Sequence, residues 1–147
     1  MDAAFRDGTG DYVHQQGPAP QQLEHDGLGF VVASIGDAMP PVAFSSLTAS
    51  REFLSTEPAH AFLRAYRSGK AWVNRSPARE VAETVAHFFP AIDIEPLESA
   101  IARYQDLGCW HGDAEIPRDL YEQALEVFLA AGLITRRHPY DEVVFHV

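Results

Sequence analysis

Apolar and polar positions follow one rhythm in the first third of the chain and another afterwards. Tyr12-Val13 is a short β-favouring run. Phe30-Val31-Val32-Ala33-Ser34-Ile35 is almost continuously apolar between Gly29 and Gly36, and Val42-Ala43-Phe44-Ser45-Ser46-Leu47 follows a stiff Pro40-Pro41 connector. Runs of that length and β-branched content predict strands, the second of them covered on both faces. From Ser55 onward the apolar residues recur every three or four positions. Phe62, Tyr66, Gly69 and Val73 share one predicted helix, and Val81, Val85 and Phe88 share a second that starts after Ser76-Pro77 and is barred at Pro90. Asp93 is placed to cap a third helix carrying Leu97, Ile101 and Tyr104 inward to a stop at Gly108. A fourth runs from about Pro117 to Ala131, with Leu120, Ala124, Val127 and Phe128 on one side and Gly132 at its end.

Between Tyr12 and the next run lies the stretch Asp11 to Glu24. A polar Gly17-Pro18 turn opens there into a predicted helix closed by Gly27. Strand, turn and helix in that order form a common ligand-holding corner of α/β proteins. Alternation along the strand puts Tyr12 and His14 on one side, with Gln15 and Gln16 at its carboxyl end. Backbone N–H groups from Ala19 to Gln22 are expected to point at the same space, although Pro18 and Pro20 remove two donors. The fold class expected from this order is α/β: a short mixed sheet followed by a layer of about four helices. No internal repeat or low-complexity linker divides the chain.

Composition narrows the function without naming it. With 147 residues, 46% hydrophobic and 22% charged, one ordinary folded domain is expected. Twenty-one acidic against eleven basic residues give a formal charge of −10, which repels a phosphate backbone and argues against nucleic acid. Cys109 is the single cysteine, so an internal disulfide and a multi-cysteine metal site are excluded; a small buried or half-buried apolar role is expected for it. His14, His25, His60, His87, His111, His138 and His146 show no paired ligand spacing, so no metal is expected. No G-x-S-x-G elbow surrounds Ser45-Ser46, whose hydroxyls suit hydrogen-bonding a ligand or closing a strand end, and no catalytic residue is expected. Glu24, Asp26, Glu80, Glu83, Glu95 and Glu98 read as a solvated helix face, and Arg136-Arg137 as partners of local acids. The first eight residues lack the basic and apolar regions of a secretory signal, so the expectation is a soluble chain, cytoplasmic if made as written.

Several runs in order resemble the C-terminal part of ABC-transporter substrate-binding proteins, of the class that handles thiamine pyrimidine precursors, sulfonates and taurine. They are Gly10 to His14 with Gln16 to Ala19, Val31 to Asp37, Val42 to Leu47, Ala65-Tyr66 with Ala71 to Asn74, and Ala131 to Ile134 with Pro139-Tyr140. The resemblance implies a partial periplasmic-binding-protein-like fold. Residues 1–36 would finish one lobe as strand-turn-helix-strand; residues 37–147 would cross back and build the helical part of the other, the N-terminal half of the family fold being absent. It implies that Tyr12, His14, Gln15 and Gln16 face a solute cleft from one side and Phe44, Ser45 and Ser46 from the other. It further implies a small-molecule solute without a cofactor, a membrane permease as partner and a periplasmic location. Relatives of the same fold that build the thiamine pyrimidine from their own histidine need a cofactor-binding lysine and a cysteine-rich motif. Lys70 is the only lysine and sits within a predicted helix, so an enzyme is not expected. The other open reading is a remnant or interaction domain that self-associates through uncovered apolar surface.

Overall fold

The computed structural model describes residues 1–43 and 45–145, and among them there is no β-strand. The chain runs through helices α1 (Asp2–Arg6), α2 (Ala19–His25), α3 (Ile35–Ala38), α4 (Arg51–Leu54), α5 (Glu57–Arg75) and α6 (Ala78–Val85). A single 3-10 turn (Ala86–Phe88) follows, then α7 (Ile94–Asp106), α8 (Arg118–Ala130) and α9 (Tyr140–Val143). The expected α/β class with a short mixed sheet is therefore corrected to a helical one. The physical reason is that a strand exists only by pairing its backbone with another. Tyr12-Val13 and Phe30 to Ser34 are irregular; Phe30 is 86% and Val32 73% exposed, and Val31 N–H bonds the Glu24 carboxylate at 3.0 Å instead of a neighbouring strand. Ile35 opens α3. In the Val42 run, Ala43 N–H donates to the carbonyl of Leu120, a helical residue, and Phe44 lies outside the described residues.

Chain contacts divide the protein into two compact units, one of Met1–Ile35 with Trp72–Trp110, the other of Gly36–Ala71 with His111–Val147. In the first unit α6 packs on α7, and α2 packs on α7 as well. Val81, Ala82, Leu97 and Ile101 form the buried centre, with Trp72, Val73, Phe89, Ile92 and Trp110 around them. Burying each large aliphatic side chain contributes about 1.5–3 kcal/mol. The last turn of α5 is tied down by Gln105, whose amide donates to the Val73 carbonyl at 2.6 Å and the Ser76 carbonyl at 2.9 Å, satisfying oxygens that a helix end leaves without partners. Asp93 occupies the N-cap of α7, but its carboxylate does not cap the helix. It accepts instead from Gln22 in α2, whose Oε1 receives the Asp93 N–H at 2.8 Å.

Gly108 ends α7 at φ +69°, and the turn sends Trp110 inward against Tyr104, ring centroids 5.7 Å apart. The same turn leaves Cys109 exposed, which corrects the expectation of a buried or half-buried residue.

The second unit is centred on Tyr121, Leu125, Tyr140 and Val144, with Ile116 and Ile134 against them. Tyr121 and Tyr140 meet edge to face at 5.5 Å; Tyr121 Oη donates to the His138 carbonyl at 2.9 Å and Tyr140 Oη to that of Ile116. Burial pushes the Tyr121 hydroxyl pKa up. Arg67 pairs with Asp113 at 2.6 Å and Lys70 donates to the carbonyls of His111 and Asp113, so the loop after Trp110 is held by α5. Arg137 pairs with Glu122 and Glu126, as its acidic surroundings predict. The expected apolar face of α5 is corrected in one respect: Phe62 is 51% and Tyr66 37% exposed, their rings stacked at 6.3 Å with Lys70 over the latter. Helical spacing fixes which residues share a side, and cannot supply the element that covers it.

Candidate functional site

The turn that starts α2 is built by local chemistry. Ala19 N–H bonds the Gln16 carbonyl at 3.2 Å and Gln22 N–H the Pro18 carbonyl at 3.0 Å, so these two of the expected ligand-facing donors are already used. Tyr12 is 83% exposed, and His14 and Gln16 are exposed too. Gln15 Nε2 donates to Asp2 Oδ1 at 3.2 Å, while its Oε1 is buried with no partner among the described residues. That bond, ahead of the Arg6 guanidinium, holds the Asp2 carboxyl below the usual carboxylate range. Tyr12, His14, Gln15 and Gln16 thus belong to the first unit, three of them directed to solvent. Ser45 and Ser46 are exposed in the second unit, and Phe44 is outside the described residues.

A concave surface of the first unit lies one step along the same turn. A groove of about 400 Å³ is bounded by Gly17 and Pro18 on one side and by Val81, Val85, Phe88, Phe89, Leu97, Ala100, Ile101 and Tyr104 from α6, the 3-10 turn and α7. Its volume falls in the range of small-molecule sites, and its lining is apolar as theirs is. A Cβ on Gly17 would stand 3.1 Å from Tyr104 Oη, 3.3 Å from Gln21 Oε1 and 3.4 Å from Ala100 Cβ, so a side chain there would require its neighbours to give by a few tenths of an ångström. Gln21 Oε1 is buried and unpartnered among the described residues.

A second cluster joins α2 to the start of α7. His25 Nδ1 lies 3.9 Å from Asp26 Oδ1 and 3.6 Å from Asp93 Oδ2. These three ligand-type atoms all fall within 4.8 Å of one another, at the surface. The space between the two carboxylates is already served: Gln22 Nε2 donates to Asp26 Oδ1 at 2.8 Å and to Asp93 Oδ2 at 2.9 Å, and Arg6 reaches Asp26 Oδ2 at 3.3 Å. The Gln22 amide is the first cause, ahead of Arg6, that holds the Asp26 carboxyl below its ordinary range. The cluster is a bracket between helices whose charges are met by protein groups.

The chain is similar to a binding protein. It is 25% identical over 143 residues to "Putative binding protein YtlA" of Bacillus subtilis (strain 168), a match covering 96% of this chain and 43% of that protein. The chain therefore spans less than half the length of the curated relative it matches. No protein-family model matches the chain, and no solved structure does.

The groove draws on residues that the sequence marks only as a helical stripe and a turn. Val81, Val85 and Phe88 recur at helical spacing, which is the signal of a core face. Nothing in that spacing tells a filled core from an open groove. Phe88 is 70% exposed at the rim. The signal that points to the site is Gly17-Pro18 itself.

Proposed function

We propose that this chain is a solute-binding component, or part of one, of an ABC-type import system for a small polar or aromatic solute such as a thiamine pyrimidine precursor, a sulfonate or taurine. The observation that carries the reading is the similarity to a binding protein across nearly the whole chain. The ordered motif resemblance gives the transport class. A groove of ligand size beside the Gly17-Pro18 turn is in keeping with it. On this reading the protein binds and releases rather than reacts, works on the periplasmic side, and hands its solute to a permease. No helix among the described residues is long and apolar enough to cross a membrane.

The test is a chimera joining this chain to the part of the Bacillus relative it does not match. Thermal unfolding is followed with pyrimidines, alkyl sulfonates and taurine. A true solute at one hundred times its Kd adds about 2.7 kcal/mol to stability; a panel in which no compound raises the melting temperature refutes the assignment. A second reading, an interaction domain without a solute, draws on the exposure of Phe30, Val32, Leu47 and Phe88. A sedimentation profile that stays monomeric at high concentration refutes it.

A further inference from the structure

We infer that the groove beside Gly17 takes the hydrocarbon part of a cationic amphiphile, an alkyl- or arylammonium whose charged head stays in water at the rim. The inference rests on reading the first unit as a solute-binding body, and it names the class of solute that this body holds.

The walls set the tail. Val81, Val85, Leu97 and Ile101 supply aliphatic carbon, Phe89 and Tyr104 supply ring carbon, and the lining is apolar throughout. A charged or hydrogen-bonding group drawn inside would give up water and find no partner there, so the part that enters is hydrocarbon. A volume of about 400 Å³ is toward the lower end for small-molecule sites and holds one ring or a short alkyl chain, not the successive anchors with which a docking helix fills a groove. Phe88 at the rim is 70% exposed, so the groove opens to water and a head group attached to the tail keeps its hydration.

The charge of the unit sets the head. Met1–Ile35 and Trp72–Trp110 together carry eleven acidic and four basic side chains. Two of the four cations are already engaged: Arg6 pairs with Asp2 and Asp26, and Arg79 with Glu83 and Glu98. The field of the unit is therefore negative, and a low-dielectric apolar wall focuses it. An ammonium at the rim is drawn by that field, and a carboxylate on the same tail is pushed away. The exposed Phe88 ring adds a second attraction, since a cation over an aromatic face gains about two- to fivefold in affinity at an exposed site.

The experiment uses the 147-residue chain with methyl groups labelled for NMR, titrated separately at low salt with butylammonium, hexylammonium, hexanol and hexanoate. Hexylammonium is expected to move the Val81, Val85, Leu97 and Ile101 methyl signals. It should bind roughly fifteenfold tighter than butylammonium, about fourfold for each methylene buried. Hexanol should bind more weakly than hexylammonium and hexanoate more weakly still, with most of the difference gone at about 1 M salt. Phe88→Leu, at an exposed position, keeps apolar contact and removes the ring; it should weaken hexylammonium about two- to fivefold and leave hexanol nearly unchanged. Equal affinity of hexylammonium and hexanoate at low salt overturns the inference. So does butylammonium binding as tightly as hexylammonium, or groove methyls that stay still at saturating hexylammonium. Groove methyls that shift on dilution of the protein alone overturn it too, because they put a second copy in the groove. These outcomes are separate from the chimera experiment: a chimera stabilised by a solute while the groove methyls ignore hexylammonium sinks only the groove assignment, and the reverse pattern sinks only the import reading.

Discussion

Replacing Gln22 with methionine isolates the bond set that joins α2 to α7 across 71 residues of sequence. The side chain is buried, and methionine keeps its length and apolar burial while removing both polar ends. Three hydrogen bonds go: Asp93 N–H to Oε1, and Nε2 to Asp26 and to Asp93. The two carboxylates sit at the surface and recover water, so little is assigned to them. The Asp93 N–H bond is partly buried and neutral; losing it and leaving the donor poorly met costs about 1–2 kcal/mol. Urea unfolding at neutral pH should show that loss as a lower midpoint with an unchanged slope.

The pH dependence gives a second, signed readout of the same substitution. Asp26 has a folded pKa below its unfolded value, chiefly through Gln22 and then Arg6. Its contribution is therefore present above the unfolded value of about 3.9 and lost as pH falls through the folded value. Gln22→Met should raise the Asp26 titration midpoint seen by NMR and flatten the fall of stability in acid. A variant within experimental error of the wild type in urea, with an unmoved Asp26 midpoint, refutes the bracket.

Two further substitutions test the core and the helix ends. Leu97→Ala removes a buried side chain from the centre of the first unit; because Leu97 also lines the open groove, the space left is continuous with solvent, and the loss should sit near the low end of core truncations, about 2–3 kcal/mol by urea unfolding. Gly69→Ala and Gly132→Ala should act oppositely, since neither new Cβ meets an atom within 4 Å, but Gly69 lies inside α5 whereas Gly132 has φ +69°. The first should stabilise by about 0.5–1 kcal/mol and the second destabilise by about 1 kcal/mol, and melting shifts of the same sign for both contradict the assignment.

The longer helices were legible in the sequence because their ends are set by local chemistry; α3, whose Ile35 reads as the end of a strand, and α9 were not. Gly27, Gly108 and Gly132 each take positive φ where a helix stops, Pro77 and Pro117 stand at N-caps, and Ser50 accepts from Phe53 N–H. Those preferences act within a turn of chain and need no distant partner. The β-favouring runs at Phe30 and Val42 carry an equally clear pattern and form no strand among the described residues, because a strand's hydrogen bonds belong to two segments and its pattern describes only one. Apolar spacing likewise placed Val81 with Val85 and Phe62 with Tyr66. Only packing decided that Val81 is covered by α7 while Phe62 is half exposed. The turn at Gly17-Pro18 could be seen as a candidate site, whereas the residues that make it concave, Leu97, Ala100, Ile101 and Tyr104, lie some eighty positions away. Local preferences belong to each segment on its own, and the tertiary structure decided which of them found a partner.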